Sequence, residues 1–463
     1  MNRVIVKDVF KDPLQYVKKE IGVCGWIKTS RCSKKIGFIE LNDGSQLKNL
    51  QVVLEDGVTV NFAEALKENV GAAISVTGEL VETPDAAQPF ELKAKSVEIE
   101  GHSSPEYPLQ KKQHTLEFLR TIPYLRARSN TLGAVFRVRS VASFAIHKFF
   151  AENGFIYTHT PIITGSDCEG AGEMFQVTSL DLGALPFDAE GKPDITKDFF
   201  SGVARLTVSG QLEGECMAMA FGKIYTFGPT FRAENSNTTR HAAEFWMIEP
   251  EIAFADLADN MKLAESMLRY VVKYVLENCE QEILFFDEFL EKGLLKRLKL
   301  LVSSEVTVVT YTEAIDMLRK SSQVFEFPVE WGCDLQTEHE RYLTEHLFKN
   351  PVFVTNYPKE IKSFYMRLND DEETVAAMDL LVPGIGEIIG GSQREERLEV
   401  LQQRMVASGV KESDYSWYLD LRRFGGTKHA GFGLGFERLI MYLTGISNIR
   451  DVLLFPRTVG SVL

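Results

Sequence analysis

The run Phe231-Arg232-Ala233-Glu234-Asn235-Ser236-Asn237-Thr238-Thr239-Arg240-His241-Ala242-Ala243-Glu244-Phe245 lies between two stretches of strand-like alternation. It reads as an antiparallel hairpin with a wide, charged loop. Period-two alternation assigns the faces. Before the loop, Tyr225, Phe227, Phe231 and Ala233 share one side, and Thr226, Thr230, Arg232 and Glu234 share the other. After it, Trp246, Ile248, Ile252 and Phe254 oppose Phe245, Met247, Glu249 and Glu251. One surface thus gathers arginines, carboxylates and a phenylalanine ring, a combination that suits a nucleotide: arginine for phosphate, ring for base, acid for an exocyclic amine or a metal. The alternative is a solvated polar face, which the aromatic within the polar set argues against.

The pattern F-R-A-E-N-S-N-T-x-R-H-x-x-E-F resembles the second signature motif of the class II aminoacyl-tRNA synthetases, in the form of the aspartyl/asparaginyl/lysyl subgroup. The resemblance extends over essentially the whole chain. Gly154–Ile163, with Pro161, looks like the first class II motif, which implies a homodimer interface at Pro161. Ala430–Met441, with Gly431, Gly433, Gly435 and Arg438, looks like the third. One departure is Phe455-Pro456-Arg457-Thr458-Val459, where relatives commonly carry proline after threonine. The implied fold class is α+β: an N-terminal five-stranded OB-fold β-barrel (1–102), a hinge (103–130), and a class II catalytic domain (131–463) built on an antiparallel sheet flanked by helices, with a loop insertion near 181–203.

The residues support that division independently. Short β-type runs at Ile21–Thr29, Gly37–Leu41, Leu50–Leu54, Ala73–Leu80 and Leu92–Ile99, a turn at Asp43-Gly44 and one helix at Val60–Glu68 suit a small barrel. A long helix is expected over Val135–Asn153, and surface helices over 256–278 and 335–349. With 463 residues, 44% hydrophobic and 25% charged, the chain has the composition of a soluble globular protein. No apolar run reaches a membrane span, and the N-terminal residues lack secretory-signal character. Six scattered cysteines without a Cys-x-x-Cys pair point to reduced thiols in a cytoplasmic protein, with no zinc. The net charge of −14 argues against RNA until it is resolved locally: residues 1–50 carry ten basic and five acidic side chains, and residues 101–150 eight and two. The N-terminal third is therefore the expected RNA side.

The resemblance implies the chemistry: an amino-acid carboxylate attacks the α-phosphate of ATP, expelling pyrophosphate, and the aminoacyl group then passes to tRNA. Such a step needs positioning and charge neutralisation and no protein nucleophile. Arg232, Glu387 and Arg438 are the implied catalytic residues. Arg232 would bridge α-phosphate and carboxylate, Glu234 would accept from the adenine amine, and Phe245 would lie on the ring. Arg240 and His241 would meet the outer phosphates and the tRNA acceptor end, and Arg438 the γ-phosphate. Glu387, with Asp379 across a hairpin-like turn, would hold Mg²⁺; their spacing is one residue longer than in many aspartyl relatives. In the barrel, Phe38 is the expected base-stacking ring, with Gln51 and Arg31 beside it; a buried barrel residue is the alternative for Phe38.

Substrate choice is read from Ser209-Gly210-Gln211-Leu212-Glu213-Gly214-Glu215. Aspartyl relatives carry a lysine where Gly214 stands. A carboxylate ligand needs cations, whereas a carboxamide needs one cation and one acceptor. Loss of the lysine, with Glu213 and Glu215 alongside, favours L-asparagine over aspartate, and either glutamate could take the amide. Glu169, Ser209 and Gln211 match positions around the α-amino group, and Arg394 would bind the side-chain oxygen. Ser392 and Glu395 have capping-box spacing, which predicts a helix starting at Gln393 with Arg394 in its first turn. The expected partners are thus ATP, L-asparagine, tRNA-Asn and a second copy of the chain. A non-catalytic RNA-binding paralogue would be expected to lack Arg232, Glu387 or Arg438. An asparagine synthetase on the same core would have no use for the barrel.

Overall fold

The computed structural model describes residues 3–86, 88–168 and 173–462. The chain divides into two compact units, 1–137 and 138–463.

The first unit is built on a closed barrel of strands β1 (Glu20–Ser33), β2 (Ile36–Asn42), β3 (Leu50–Glu55), β4 (Ala73–Glu82) and β5 (Phe90–Gly101), ordered β1-β2-β3-β5-β4. Parallel pairing of β3 with β5, Val52 opposite Leu92, closes it. Alternate residues Val23, Ile27, Ile39, Leu41, Val52, Leu54, Ile74, Val76 and Leu92 fill the interior, and all are fully or almost fully buried. The expected helix over Val60–Glu68 contracts to Phe62–Ala65. Val60 instead pairs with Ser96, its N–H donating to the Lys95 carbonyl (2.9 Å), so its backbone groups belong to the barrel. The basic stretch after the barrel forms a small core of Leu109, Leu119 and Leu132 with Tyr107, Leu125 and Phe136.

The second unit begins within helix α1 (Asn130–Glu152). Its eight-stranded sheet comprises β6 (Ile156–Tyr157), β7 (Lys223–Phe231), β8 (Glu244–Ala253), β9 (Thr307–Thr310), β10 (Val352–Pro358), β11 (Thr374–Val382), β12 (Gly386–Gln393) and β13 (His429–Gly435). The order is β9-β10-β11-β12-β13-β8-β7-β6, antiparallel throughout except at its two ends. Helices α2 (Gln211–Phe221), α3 (Leu257–Asn278), α4 (Thr337–Arg341), α5 (Leu398–Ala407), α6 (Ser416–Arg423) and α7 (Phe436–Thr444) flank the sheet. In the hairpin β7–β8, Thr226 faces Glu249, Gly228 faces Met247 and Thr230 faces Phe245, the face assignment read from alternation. Edge strand β6 leaves Ile156 and Tyr157 exposed, and Pro161 just beyond it is exposed too.

One local expectation is overturned. No helix starts at Gln393: β12 runs through that residue, pairing Ser392 with Gly431 and Gln393 with Ala430. The Arg394 N–H continues the ladder to the His429 carbonyl (2.8 Å), and α5 begins only at Leu398. Ladder bonds to β13 outweigh a local Ser-x-x-Glu pattern. The Ser392 hydroxyl accepts from Arg394 Nη1 (2.9 Å), and Glu395 binds Arg397.

Candidate active site

A cavity of about 320 Å³ opens on the polar face of the sheet. Its wall brings together Ser209 and Gln211 from the start of α2, Arg232 and Glu249 from the β7–β8 hairpin, Asp379, Glu387 and Arg394 from β11–β12, and Lys362. Residues far apart in sequence thus converge on one hollow. Glu169 lies outside the described residues.

At one end Arg232 follows β7 directly, its N–H held by the Ala243 carbonyl (3.0 Å). Its guanidinium lies over the Phe245 ring (5.5 Å) and 3.7 Å from Glu234 Oε1. His241 Nε2 is 3.5 Å from the other oxygen of Glu234, and its Nδ1 is 2.6 Å from Thr238 Oγ1. Arg240 donates to Thr337 Oγ1 (2.8 Å). Burial, and then the nearby charge of Arg438, lower its pKa. Two guanidinium groups held near each other make a place for a polyanion.

Arg438, in the first turn of α7, donates from Nη1 to the Glu387 carbonyl (3.0 Å) and to Glu387 Oε2 (3.2 Å). A methyl group on Gly390 would lie 3.0 Å from Glu387 Oε1 and 3.3 Å from Asp379 Oδ1, so both carboxylates converge over that glycine. Hard oxygen donors of this kind suit Mg²⁺ completed by phosphate oxygens. Among the described residues no group of three or more His, Cys, Asp or Glu could hold an ion alone. Each carboxylate has one oxygen engaged by a cation, Asp379 Oδ2 by Lys362 Nζ (3.0 Å) and Glu387 Oε2 by Arg438, and Glu387 is the more exposed of the two. Lys362 also sits 4.0 Å from the Tyr357 ring.

At the opposite end Arg394 is almost wholly buried and stacks over Tyr365 (5.3 Å). Its Nε donates to Glu251 Oε2 (3.2 Å) and its Nη2 to Glu251 Oε1. Burial works against the charge, but the Glu251 carboxylate outweighs it and holds the Arg394 pKa up. Gly431 makes room for this pair, since a Cβ there would overlap Glu251 Oε1 at 2.1 Å. Glu249 accepts from Ser209 Oγ, from the Gly210 N–H (3.0 Å) and from Thr226 Oγ1 (3.0 Å).

Glu213 and Glu215 are not among the described lining residues. Glu213 accepts from Thr164 Oγ1 (3.2 Å), and burial raises its pKa. Glu215 is fully buried among Gln211, Tyr418, Arg422 and His429. Glu234, Arg240, His241, Phe245 and Arg438 lie outside the described cavity wall. Lys362 and Tyr365 also line the cavity, and neither was among the residues expected from the sequence. Glu249 and Glu251 were assigned to the arginine face by alternation alone.

On the barrel, the Arg31 guanidinium covers the half-buried Phe38 ring at 4.9 Å from its centroid. Gln51 Nε2 donates to Glu91 Oε1 (2.5 Å).

Residues 115–459 match the family described as tRNA synthetases class II (D, K and N), and residues 21–100 match the OB-fold nucleic acid binding domain. The chain belongs to the class II tRNA synthetases of the D, K and N group. It is 66% identical over 461 residues to an asparagine–tRNA ligase of Acetivibrio thermocellus, covering 100% of this chain and 99% of that protein. An asparagine–tRNA ligase of Clostridium botulinum is 65% identical over 460 residues, covering 99% of each. Among solved structures, asparaginyl-tRNA synthetase from Pyrococcus horikoshii complexed with asparaginyl-adenylate is similar with a TM-score of 0.87 and 32% identity, covering 99% of both chains. No helix among the described residues is long and apolar enough to cross a membrane.

Proposed function

We propose that this chain is an asparagine–tRNA ligase, which joins L-asparagine to ATP as asparaginyl-adenylate, releases pyrophosphate, and passes asparagine to the 3′ end of tRNA-Asn. The observation that carries the substrate choice is the pairing of the two cavity cations other than Arg232. Arg394 is backed by Glu251, and Lys362 by Asp379. A side-chain carboxylate entering such a pocket meets no uncompensated positive charge, while a carboxamide can accept from a fixed guanidinium N–H and donate to an oxygen. Glu249 is the acceptor best placed for that NH₂, because it lines the cavity beside Gln211 whereas Glu213 and Glu215 do not.

In this reading Arg232 receives the α-phosphate and the asparagine carboxylate on its planar fork, drawing two anions into contact. Glu234 and Phe245 hold the adenine. Arg240, His241 and Arg438 take the outer phosphates, where preorganised donors stabilise the charge that develops as pyrophosphate leaves. Glu387, with Asp379 second, would hold Mg²⁺, which supplies charge neutralisation on the phosphates. Gln211, with Glu169, accepts from the α-ammonium group. Phe38, Arg31 and Gln51 form the anticodon face of the barrel. The exposed edge around Ile156, Tyr157 and Pro161 joins two copies in a homodimer, and the protein works in the cytoplasm. Asparagine-dependent ATP–pyrophosphate exchange tests the reading. It should be measurable in the wild type, fall roughly a thousandfold in Arg232→Ala, and be far weaker with aspartate; exchange supported by aspartate at a comparable or greater rate would refute it.

A further inference from the structure

A glutamine side chain presents an acceptor and a donor of nearly the same size, so its neighbours decide which end faces a ligand. Gln211 opens α2 and lines the cavity. Its Nε2 donates to Glu215 Oε1 (3.1 Å), one helical turn further on. An amide turned the other way would set Oε1 against a carboxylate oxygen.

Glu215 is held in place from three further directions. Arg422 Nη2 donates to its Oε2 (3.0 Å), the Tyr418 hydroxyl lies 2.9 and 2.8 Å from its two oxygens, and His429 Nε2 is 2.8 Å from Oε2. These partners come from α6 and β13. Burial opposes the charge, but Arg422 and His429 outweigh it, so the carboxylate stays ionised. A fully buried anion is costly unless it is paired and hydrogen-bonded on every side, and here it is. Arg422, Tyr418 and His429 tie Glu215 to α6 and β13, and the fourth bond is the one that reaches a side chain of the cavity wall.

We infer that Glu215 is a positioning residue whose negative charge fixes the Gln211 amide with its oxygen toward the cavity, where it accepts from the α-ammonium group of the amino acid. This assignment rests on the proposed binding of asparagine by Gln211. It separates the neighbouring glutamates: Glu249 faces the ligand, and Glu215 acts through Gln211.

The test compares asparagine with succinamate, which keeps the carboxylate and carboxamide but lacks the α-amino group. In the isosteric Glu215→Gln variant the amide at 215 can donate or accept, so the orientation of Gln211 is no longer dictated. The KM for asparagine should rise roughly tenfold or more, the loss expected for a hydrogen bond to a charged group, while the KM for ATP and the inhibition constant of succinamate stay within about twofold of the wild type. Equal weakening of asparagine and succinamate, or no change in either, would overturn the assignment. Should E215Q not fold, as read by circular dichroism, the double variant Gln211→Glu/Glu215→Gln takes its place. It restores the pair with donor and acceptor exchanged and leaves a carboxylate oxygen for the ammonium. Preference for asparagine over succinamate at the wild-type ratio supports the assignment; a folded double variant that binds succinamate normally and has lost that preference overturns it. A wild type without asparagine-dependent exchange would instead refute the function, a separately visible outcome.

Discussion

Arg394 and Glu251 form a two-pronged ion pair behind the candidate substrate pocket, Nε to Oε2 at 3.2 Å and Nη2 to Oε1, with both side chains almost completely buried. The pair joins residues 143 positions apart and gives the guanidinium one orientation toward the cavity. It also cancels the charge that would otherwise attract a carboxylate.

Neutralising Glu251 should therefore weaken discrimination. In Glu251→Gln the Arg394 charge is uncompensated, so aspartate gains relative to asparagine. The ratio of kcat/KM for asparagine to that for aspartate in pyrophosphate exchange should fall roughly tenfold or more, the scale of one mismatched buried polar group. An unchanged ratio would show that the pair is structural only.

The barrel strands and the β7–β8 hairpin were legible because alternation and turns are local signals, and the barrel interior follows directly from Val23, Ile27, Ile39 and Leu41. The site was legible as residue types: Arg232, Gln211, Glu387 and Arg394 do meet in one cavity. What could not be read were partnerships across long sequence separations. Nothing in the sequence near Arg394 signals Glu251, and nothing near Gly214 signals that Arg422 and His429 enclose Glu215. The helix expected at Gln393 failed for the same reason. Ser392 and Glu395 have capping spacing, but β13, some forty residues later, claims the backbone of Ser392 and Gln393 for the sheet, and the Glu395 N–H bonds to the Tyr365 carbonyl.

Removing the carboxylate that faces Arg438 should expose its role toward the metal. Glu387→Gln should lower kcat for exchange on the order of a hundredfold, the typical loss when one transition-state electrostatic contact is removed. It should also shift the Mg²⁺ concentration that half-saturates MgATP binding upward, measured by calorimetry in the absence of turnover. An Mg²⁺ dependence identical to that of the wild type would exclude Glu387 as a ligand.

The Cys216 thiol lies on α2 next to Glu215. Burial first, and then the charges of Glu215 and Glu213, push its pKa up to about 11 from an ordinary 9.0. The folded chain thus holds this proton more tightly than the unfolded chain does. Its contribution to stability is complete below pH 9, declines as pH rises, and is gone above about 11. Cys216→Ala should flatten the fall of the unfolding free energy between pH 9 and 11. At pH 8 Cys216 should react with a disulfide reagent far more slowly than exposed Cys32, because little thiolate is present.

On the barrel, Phe38 carries the Arg31 guanidinium on its ring. Phe38→Ala should raise the KM for tRNA by an amount corresponding to about 1–3 kcal/mol, the scale of one base–aromatic stack. Exchange assayed without tRNA serves as the reference. An unaltered KM for tRNA would place the base-reading surface elsewhere on the barrel.

The most direct test of the central claim is aminoacylation of total bacterial tRNA by the purified wild-type chain with labelled asparagine and, separately, labelled aspartate. The paired cations of the pocket predict esterification of asparagine alone, lost in Arg232→Ala. Esterification of aspartate at a comparable or greater rate would contradict the account.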